Sequence, residues 1–256
     1  MNDSVTIGRA ELRKVSPVQG WRWIAAGFRL FAKTPLIWMV FFLIYFFVQL
    51  VLVFKVPVIG PVAAALLDPF FIAGFMAGCR ALELDEDMEI AHLLAGFRTD
   101  AAQLAKLGGL YLAGKMAIIV IAMALTNALL GPMPEFDFAH LDFAKPDLPP
   151  AVAQHIQLTG LLVLAFMVPL LMAYWFAPAL VIFDHLPAGH SMRLSFVACR
   201  RNIWPFLLYG AVSLFLFVLA SIPFGLGLLV VVPVLFATSI YAAYRDIFVA
   251  QTPPGS

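Results

Sequence analysis

Twenty consecutive residues, from Pro35 to Phe54 (PLIWMVFFLIYFFVQLVLVF), carry no charged side chain. A helix rises about 1.5 Å per residue, so about twenty residues cross the ~30 Å hydrocarbon core of a bilayer. Comparable stretches recur at 57–79, 107–130, 158–183, 203–222 and 225–244. The 256-residue chain is 63% hydrophobic and 12% charged, against about 25% charged in soluble domains. A water-soluble core of this size does not hide that much apolar surface. The reading is an all-α polytopic membrane helical bundle with six spans.

Short hinges pair the spans. Lys55-Val56 and Pro223-Phe224 leave room only for tight reversals, so spans one and two, and five and six, form helical hairpins. Spans three and four are joined by the longer 131–157 segment. One membrane domain, 1–256, then divides into a 1–34 N-terminal region, hairpin 35–79, segment 80–183 with hairpin two, segment 184–248 with hairpin three, and a 249–256 tail. No apolar run of signal-peptide length precedes residue 35, so the first span is expected to be retained.

Basic residues set the expected orientation. Arg9, Arg13, Lys14, Arg22, Arg29, Lys33, Arg80, Arg98, Lys106, Arg193, Arg200, Arg201 and Arg245 fall on one side, and only Lys55 and Lys145 on the other. Thirteen against two places both termini in the cytoplasm of a bacterial inner membrane. The 131–157 loop is then external. Its EFDFAHLDFAKPD section alternates aromatic and acidic residues, fitting a proline-broken loop resting on the membrane surface, or a lid or partner contact.

A weak internal repeat accompanies the three pairs. GFRLFAKTPL, GFRTDAAQLAKL and SFVACRRNIWPF precede successive hairpins, aligning Phe28 with Phe97 and Phe196, and Thr34 with Asn202. The first stretch is an amphipathic helix starting at Ser16-Pro17. Trp21, Phe28 and Phe31, with Ile24, share one arc, and Arg22, Arg29 and Lys33 another, as in a helix lying in the headgroup plane. The second is expected to open on the acidic run Glu83 to Glu89, favoured by the helix dipole, and to present Ile90, Leu93, Leu94, Phe97 and Leu104. The third runs from about Ala188 to Asn202. All three lie on the inner surface or pack on the ends of the hairpins; the sequence leaves both placements open.

Asp68 and Lys115 are the full charges deep inside predicted spans. Charges there are costly and normally face a partner in the bundle interior. Their depths from the inner surface agree within a helical turn, which suggests a buried polar pair. Alternatively, Lys115 snorkels towards the surface and Asp68 is protonated. Pro69, Pro178 and Pro233 are expected to kink the even-numbered spans. Gly74 and Gly78 form a GxxxG that permits close helix packing. Asp184, His185 and His190 match no standard metal spacing. Cys79 and Cys199 lie far apart and read as small apolar residues.

No nucleophile elbow, zinc-protease motif, phosphate-binding loop or dinucleotide fingerprint occurs. No enzyme activity, metal, cofactor or nucleic-acid binding is therefore expected. The stretch from Ser195 to Phe248, with CRRNIWPFLLYGA and the closing Tyr-Arg-Asp-Ile-Phe, together with the opening WRWIAAGFRLFAKTPLIW, resembles a family of hypothetical six-helix inner-membrane proteins of proteobacteria. The paired-helix layout is more remotely similar to the membrane domain of some glycerophosphodiester phosphodiesterases, whose soluble catalytic domain is missing from this sequence. The resemblance implies location and topology and supplies no substrate or binding residues.

Taken together, the residues point to a non-enzymatic bundle in the lipid bilayer that handles a small solute, ion or lipid. The alternative is an accessory or scaffold protein for another membrane complex. The charge asymmetry makes a direct prediction. In intact cells, cysteine-free reporters fused to either terminus should stay inaccessible to an impermeant label, and one inserted at 137–147 should react; labelling at either terminus would contradict the orientation.

Overall fold

The structure, a computed structural model, describes residues 6–7, 10–136, 148–222 and 224–249. Pro223 of the second hinge, and the 137–147 part of the connecting loop with His140, Asp142 and Lys145, lie outside the described residues. Six helical segments are long and apolar enough to cross a membrane. They comprise α2 (Pro35–Lys55), α3 (Ile59–Glu83), α6 (Ala101–Leu130), α7 (Pro150–Tyr174) continued by α8 (Ala177–Asp184), α10 (Ile203–Ser221), and α11 (Leu228–Pro233) continued by α12 (Ser239–Phe248). The all-α membrane bundle is thus observed. Among the described residues, the one exception is a short antiparallel pair, β1 (Thr6–Ile7) with β2 (Ala10–Glu11).

Each hairpin follows a shorter helical stretch and a sharp joint, as the repeat suggests. Helix α1 (Gln19–Lys33) meets α2 at Thr34, and α9 (Ala188–Arg201) meets α10 at Asn202. The middle copy departs from expectation. The acidic run does not open a helix: Glu83 ends α3, and Glu89 caps a single turn, α4 (Ile90–Leu93), through a reciprocal capping box with His92. A second turn, α5 (Ala95–Arg98), ends at extended Thr99, and Asp100 sits at φ 53°. Leu104 consequently belongs to the span helix α6. The first helix also starts later than Ser16-Pro17, capped by backbone at Val18 without a side-chain hydrogen bond.

The chain packs as two compact units, residues 1–110 with 172–256, and residues 111–171. In the second unit, α6 and α7 meet where Gly114 faces the Leu170 side chain, and Thr159 donates to Thr126. Helix α7 begins at Pro150, so His155 is helical rather than part of the loop, and its ring nitrogens lie 3.0 Å from the carbonyls of Ala151 and Gly131.

In the first unit, glycines set the distance of closest approach. A Cβ on Gly20 would lie 2.2 Å from the Pro205 carbonyl oxygen, and one on Gly27 would lie 2.4 Å from Ser239 Oγ. Helix α1 therefore beds against α10 and α12, burying Trp23, Ile24 and Phe31. This is the second of the two placements left open by the sequence. Phe31 faces protein, Phe28 is half-buried, and Trp21 is 52% exposed on the outer flank. Gly74 and Gly96 repeat the device between α3 and the α4–α5 pair: each sits on the other's backbone, Gly74 at Leu93 and Gly96 at Phe70. With Gly78 against Met88, the GxxxG is used within the chain.

The three prolines receive different treatments. Helix α3 runs through Pro69. At Pro178 the span breaks between α7 and α8, and the Ser195 hydroxyl from α9 enters the gap. It accepts from the Phe176 amide at 3.0 Å and donates to the Met172 carbonyl at 2.7 Å, replacing the helical bond those two groups would have shared. After Pro233 the backbone widens into a π turn, Val234–Thr238, in which the Ser239 amide bonds Val234 and skips Leu235. The freed Leu235 carbonyl accepts the Tyr209 hydroxyl at 2.5 Å.

Two measurements follow. Gly27→Leu should cost about 1–3 kcal/mol or more of stability through overpacking, lowering the melting temperature in detergent, whereas Gly210→Ala, whose Cβ meets nothing within 4 Å, should leave it unchanged or raised. Equal effects would refute the packing account. Cys79 and Cys199 are buried, and burial pushes the Cys199 thiol up to about 12, with Ser195 opposing it. Since the thiolate is the reactive form, maleimide at neutral pH should label neither cysteine until the protein is denatured.

Candidate functional site

Inside the spans of the first unit lies one carboxylate with two hydroxyl donors. Asp68 of α3 accepts from Tyr45 of α2 at Oδ1, 2.8 Å, and from Tyr174 at the end of α7 at Oδ2, 3.0 Å. An ionised carboxylate only accepts hydrogen bonds, and a phenol in an apolar setting needs a partner for its hydroxyl, so each satisfies the other. Tyr45 also packs edge-on against Phe71 and Phe75, which fixes its ring. Gln49, one turn further along α2, donates to the Ala64 carbonyl at 3.4 Å, adding a second polar contact between the same two helices. Asp68 and Tyr45 remain half-buried, whereas Tyr174 is buried. The carboxylate is thus held on both oxygens and still open on one side. A carboxylate positioned this way is a fixed acceptor with lone pairs left over for a further donor.

Lys115 belongs to the second unit. Its Nζ lies 4.3 Å from the ring centroid of Tyr111, one helical turn back along α6. A cation over an aromatic face is stabilised electrostatically, and the direction is the one snorkelling would give. The sequence alone points to neither Tyr45 nor Tyr174. The available signal was a tyrosine within an otherwise apolar span, whose polar tip demands a partner.

A second polar layer ties together the end of the bundle where α3, α8 and α12 finish. The Tyr244–Phe248 segment supplies most of it. Tyr244 donates to Asp184 at 2.7 Å, and Arg245 pairs with Glu83, which also accepts from Tyr241 at 2.6 Å. Asp246 Oδ2 accepts from Gln19 and from Trp23 Nε1 of α1, both at 2.9 Å. The Ile247 carbonyl accepts the Arg13 amide, and Phe248 packs edge-on against Phe176. Asn202 secures the same N-terminal segment, accepting from the Val15 amide and donating to the Arg13 carbonyl. Lys33 donates to the Leu82 carbonyl and to Asp85. Asp85 is exposed, and the Lys33 hydrogen bond holds its carboxyl below the usual range.

Two of the remaining sequence candidates have side-chain partners. Asp184 is engaged by Tyr244, and His185 meets Asp100 at 2.5 Å. Among the described residues no group of three His, Cys, Asp or Glu side chains converges as a metal site would require. Arg22 and Arg29 are exposed on the outer face of α1. There, Gln19, Arg22, Trp23, Ala26 and Arg29 line a cavity of about 270 Å³ with Ala242, Arg245 and Asp246 of α12.

No family model matches the chain. No solved structure matches it. A protein of Burkholderia thailandensis named a probable inner membrane protein is 30% identical over 268 aligned positions, covering 95% of this chain and 96% of that relative. The alignment spans nearly all of both chains, and so takes in all six helices that are, among the described residues, long and apolar enough to cross a membrane. The chain belongs to the family of this inner membrane protein.

Proposed function

We propose that this protein is a non-enzymatic inner-membrane bundle whose Asp68 site handles a small solute, an ion or a lipid group, with both termini in the cytoplasm. The observation that carries the reading is the Tyr45–Asp68–Tyr174 cluster. An ionisable side chain far from either surface is expensive to insert, by about 2.5–3.5 kcal/mol on insertion scales. Two tyrosines from separate helices oriented on it form a prepared polar site rather than a tolerated stray charge. The interrupted span beside it, at Trp175–Phe176 directly after Tyr174, adds backbone that departs from a regular α-helix. Such backbone is tolerated where protein or a cavity surrounds it.

The alternative of an accessory or scaffold protein has less support. Helix α1 spends Trp23, Ile24 and Phe31 on contacts within the chain, which leaves its charged flank, rather than an apolar stripe, for an outside partner.

Proteoliposomes loaded with a pH-sensitive or sodium-sensitive dye test the reading. Asp68→Asn keeps the shape and should abolish ion-dependent flux or ion-dependent stabilisation, while expression and monodispersity match the wild type. Tyr45→Phe and Tyr174→Phe should each weaken the response, and Lys115→Met tests whether the second unit's charge takes part. Wild-type behaviour of Asp68→Asn in every flux and stability assay, or loss of folding without loss of a specific response, would remove the basis for the proposal.

A further inference from the structure

A groove lined by three arginines and one carboxylate runs between α1 and α12. Gln19, Arg22, Trp23, Ala26 and Arg29 fall at helical spacings of three or four residues along one side of α1, and Ala242, Arg245 and Asp246 do so on α12. The volume of this open groove, about 270 Å³, approaches the lower end of small-molecule pockets, about 300 Å³. Two alanines, Ala26 and Ala242, among the lining residues leave the space open.

Its charges are unevenly spent. Arg245 is neutralised by Glu83. Asp246 is the one carboxylate in the lining, and its Oδ2 is already occupied by Gln19 and Trp23. Arg22 donates only to the neutral Gln19 amide at 3.1 Å, and Arg29 has no acidic partner among the described residues. Two guanidiniums thus face the groove without a counter-charge of their own, and the lining stays net positive when Glu83 is included. Guanidinium forks match the oxygens of phosphate in paired hydrogen bonds.

We propose that this groove binds a phosphate-bearing anion through Arg22 and Arg29. Its position on the last turns of a membrane-spanning segment, Leu228–Phe248, is the level at which phospholipid headgroups lie. An anionic phospholipid headgroup and a soluble phosphate ester share the chemistry the groove offers. The site is separate from Asp68 and stands whether or not that reading holds.

The test uses the full chain in phosphatidylcholine nanodiscs, with phosphatidylglycerol titrated in as the lipid probe and inorganic phosphate or glycerol 3-phosphate as soluble probes. Retention of phosphatidylglycerol by native mass spectrometry, and thermal stabilisation on its addition, should be specific to the wild type. The double variant Arg22→Gln/Arg29→Gln should weaken that affinity roughly 10- to 30-fold. Ala26→Leu, which keeps every charge but fills the groove, should weaken it comparably, with melting temperatures in pure phosphatidylcholine unchanged for the arginine variants. Stabilisation by the soluble probes that disappears in the same variants assigns the site to a soluble ester. Phosphatidylglycerol retention that survives both variants, or no response of the wild type to any probe, would overturn the proposal.

Discussion

Backbone amides and carbonyls that enter hydrocarbon must find partners inside the protein, because no water is there to take them. That constraint governs the two places where this chain breaks its own helices. At Pro178 the missing helical bond between Phe176 and Met172 is rebuilt through a serine hydroxyl brought from α9. At Pro233 the π turn leaves the Leu235 carbonyl without its usual amide, and Tyr209 of α10 supplies a hydroxyl. Thr238 adds a further bond across the same region, donating to the Gly27 carbonyl of α1. The repairs come from helices 19 to 26 residues away along the chain, so each break also fixes which nearby helix must lie beside it.

A second consequence follows from the solvent. Lipid tails are as apolar as leucine, so burying apolar surface does not by itself drive helices together in a bilayer; close packing and polar contacts do. The glycine contacts of α1 and of the α3–α4–α5 corner give the packing. The polar layer at the Tyr244–Phe248 segment gives the specificity, because its tyrosine, arginine and aspartate each reach a different element: α8, α3 and α1. One helix end thereby sets the positions of three others. The same logic makes Asp68 stand out, since it is a polar contact the fold does not need in order to repair a broken helix.

Much of the architecture was legible from residues alone. Twenty-residue apolar runs gave the spans, the hinges at Lys55-Val56 and after Ser221 gave two hairpins, and Thr34 and Asn202 marked equivalent joints before the first and third. What the sequence did not reveal is long-range pairing. Phe31 and Trp23 occupy the same amphipathic helix as Trp21, and only the glycines at 20 and 27 decide that this face meets protein instead of lipid. The acidic run 83–89 matched a helix start, yet Glu83 serves the far end of α3 because Arg245 and Tyr241 arrive there from a segment about 160 residues away. Tyr45 and Tyr174 were hidden for the same reason: a lone tyrosine in an apolar span has no local signature of its partner.

Hydrogen–deuterium exchange of the protein in nanodiscs probes most directly the claim that this is a bilayer-embedded bundle with an internally satisfied backbone. The amides of the six spans should be strongly protected, including Phe176 beside the Pro178 break and Ser239 after the π turn, and replacing Ser195 by alanine should release Phe176 selectively. Rapid exchange at 175–176 and 234–239 in the intact protein, at rates matching the exposed connections, would mean that water reaches these segments and that the account of the fold is wrong.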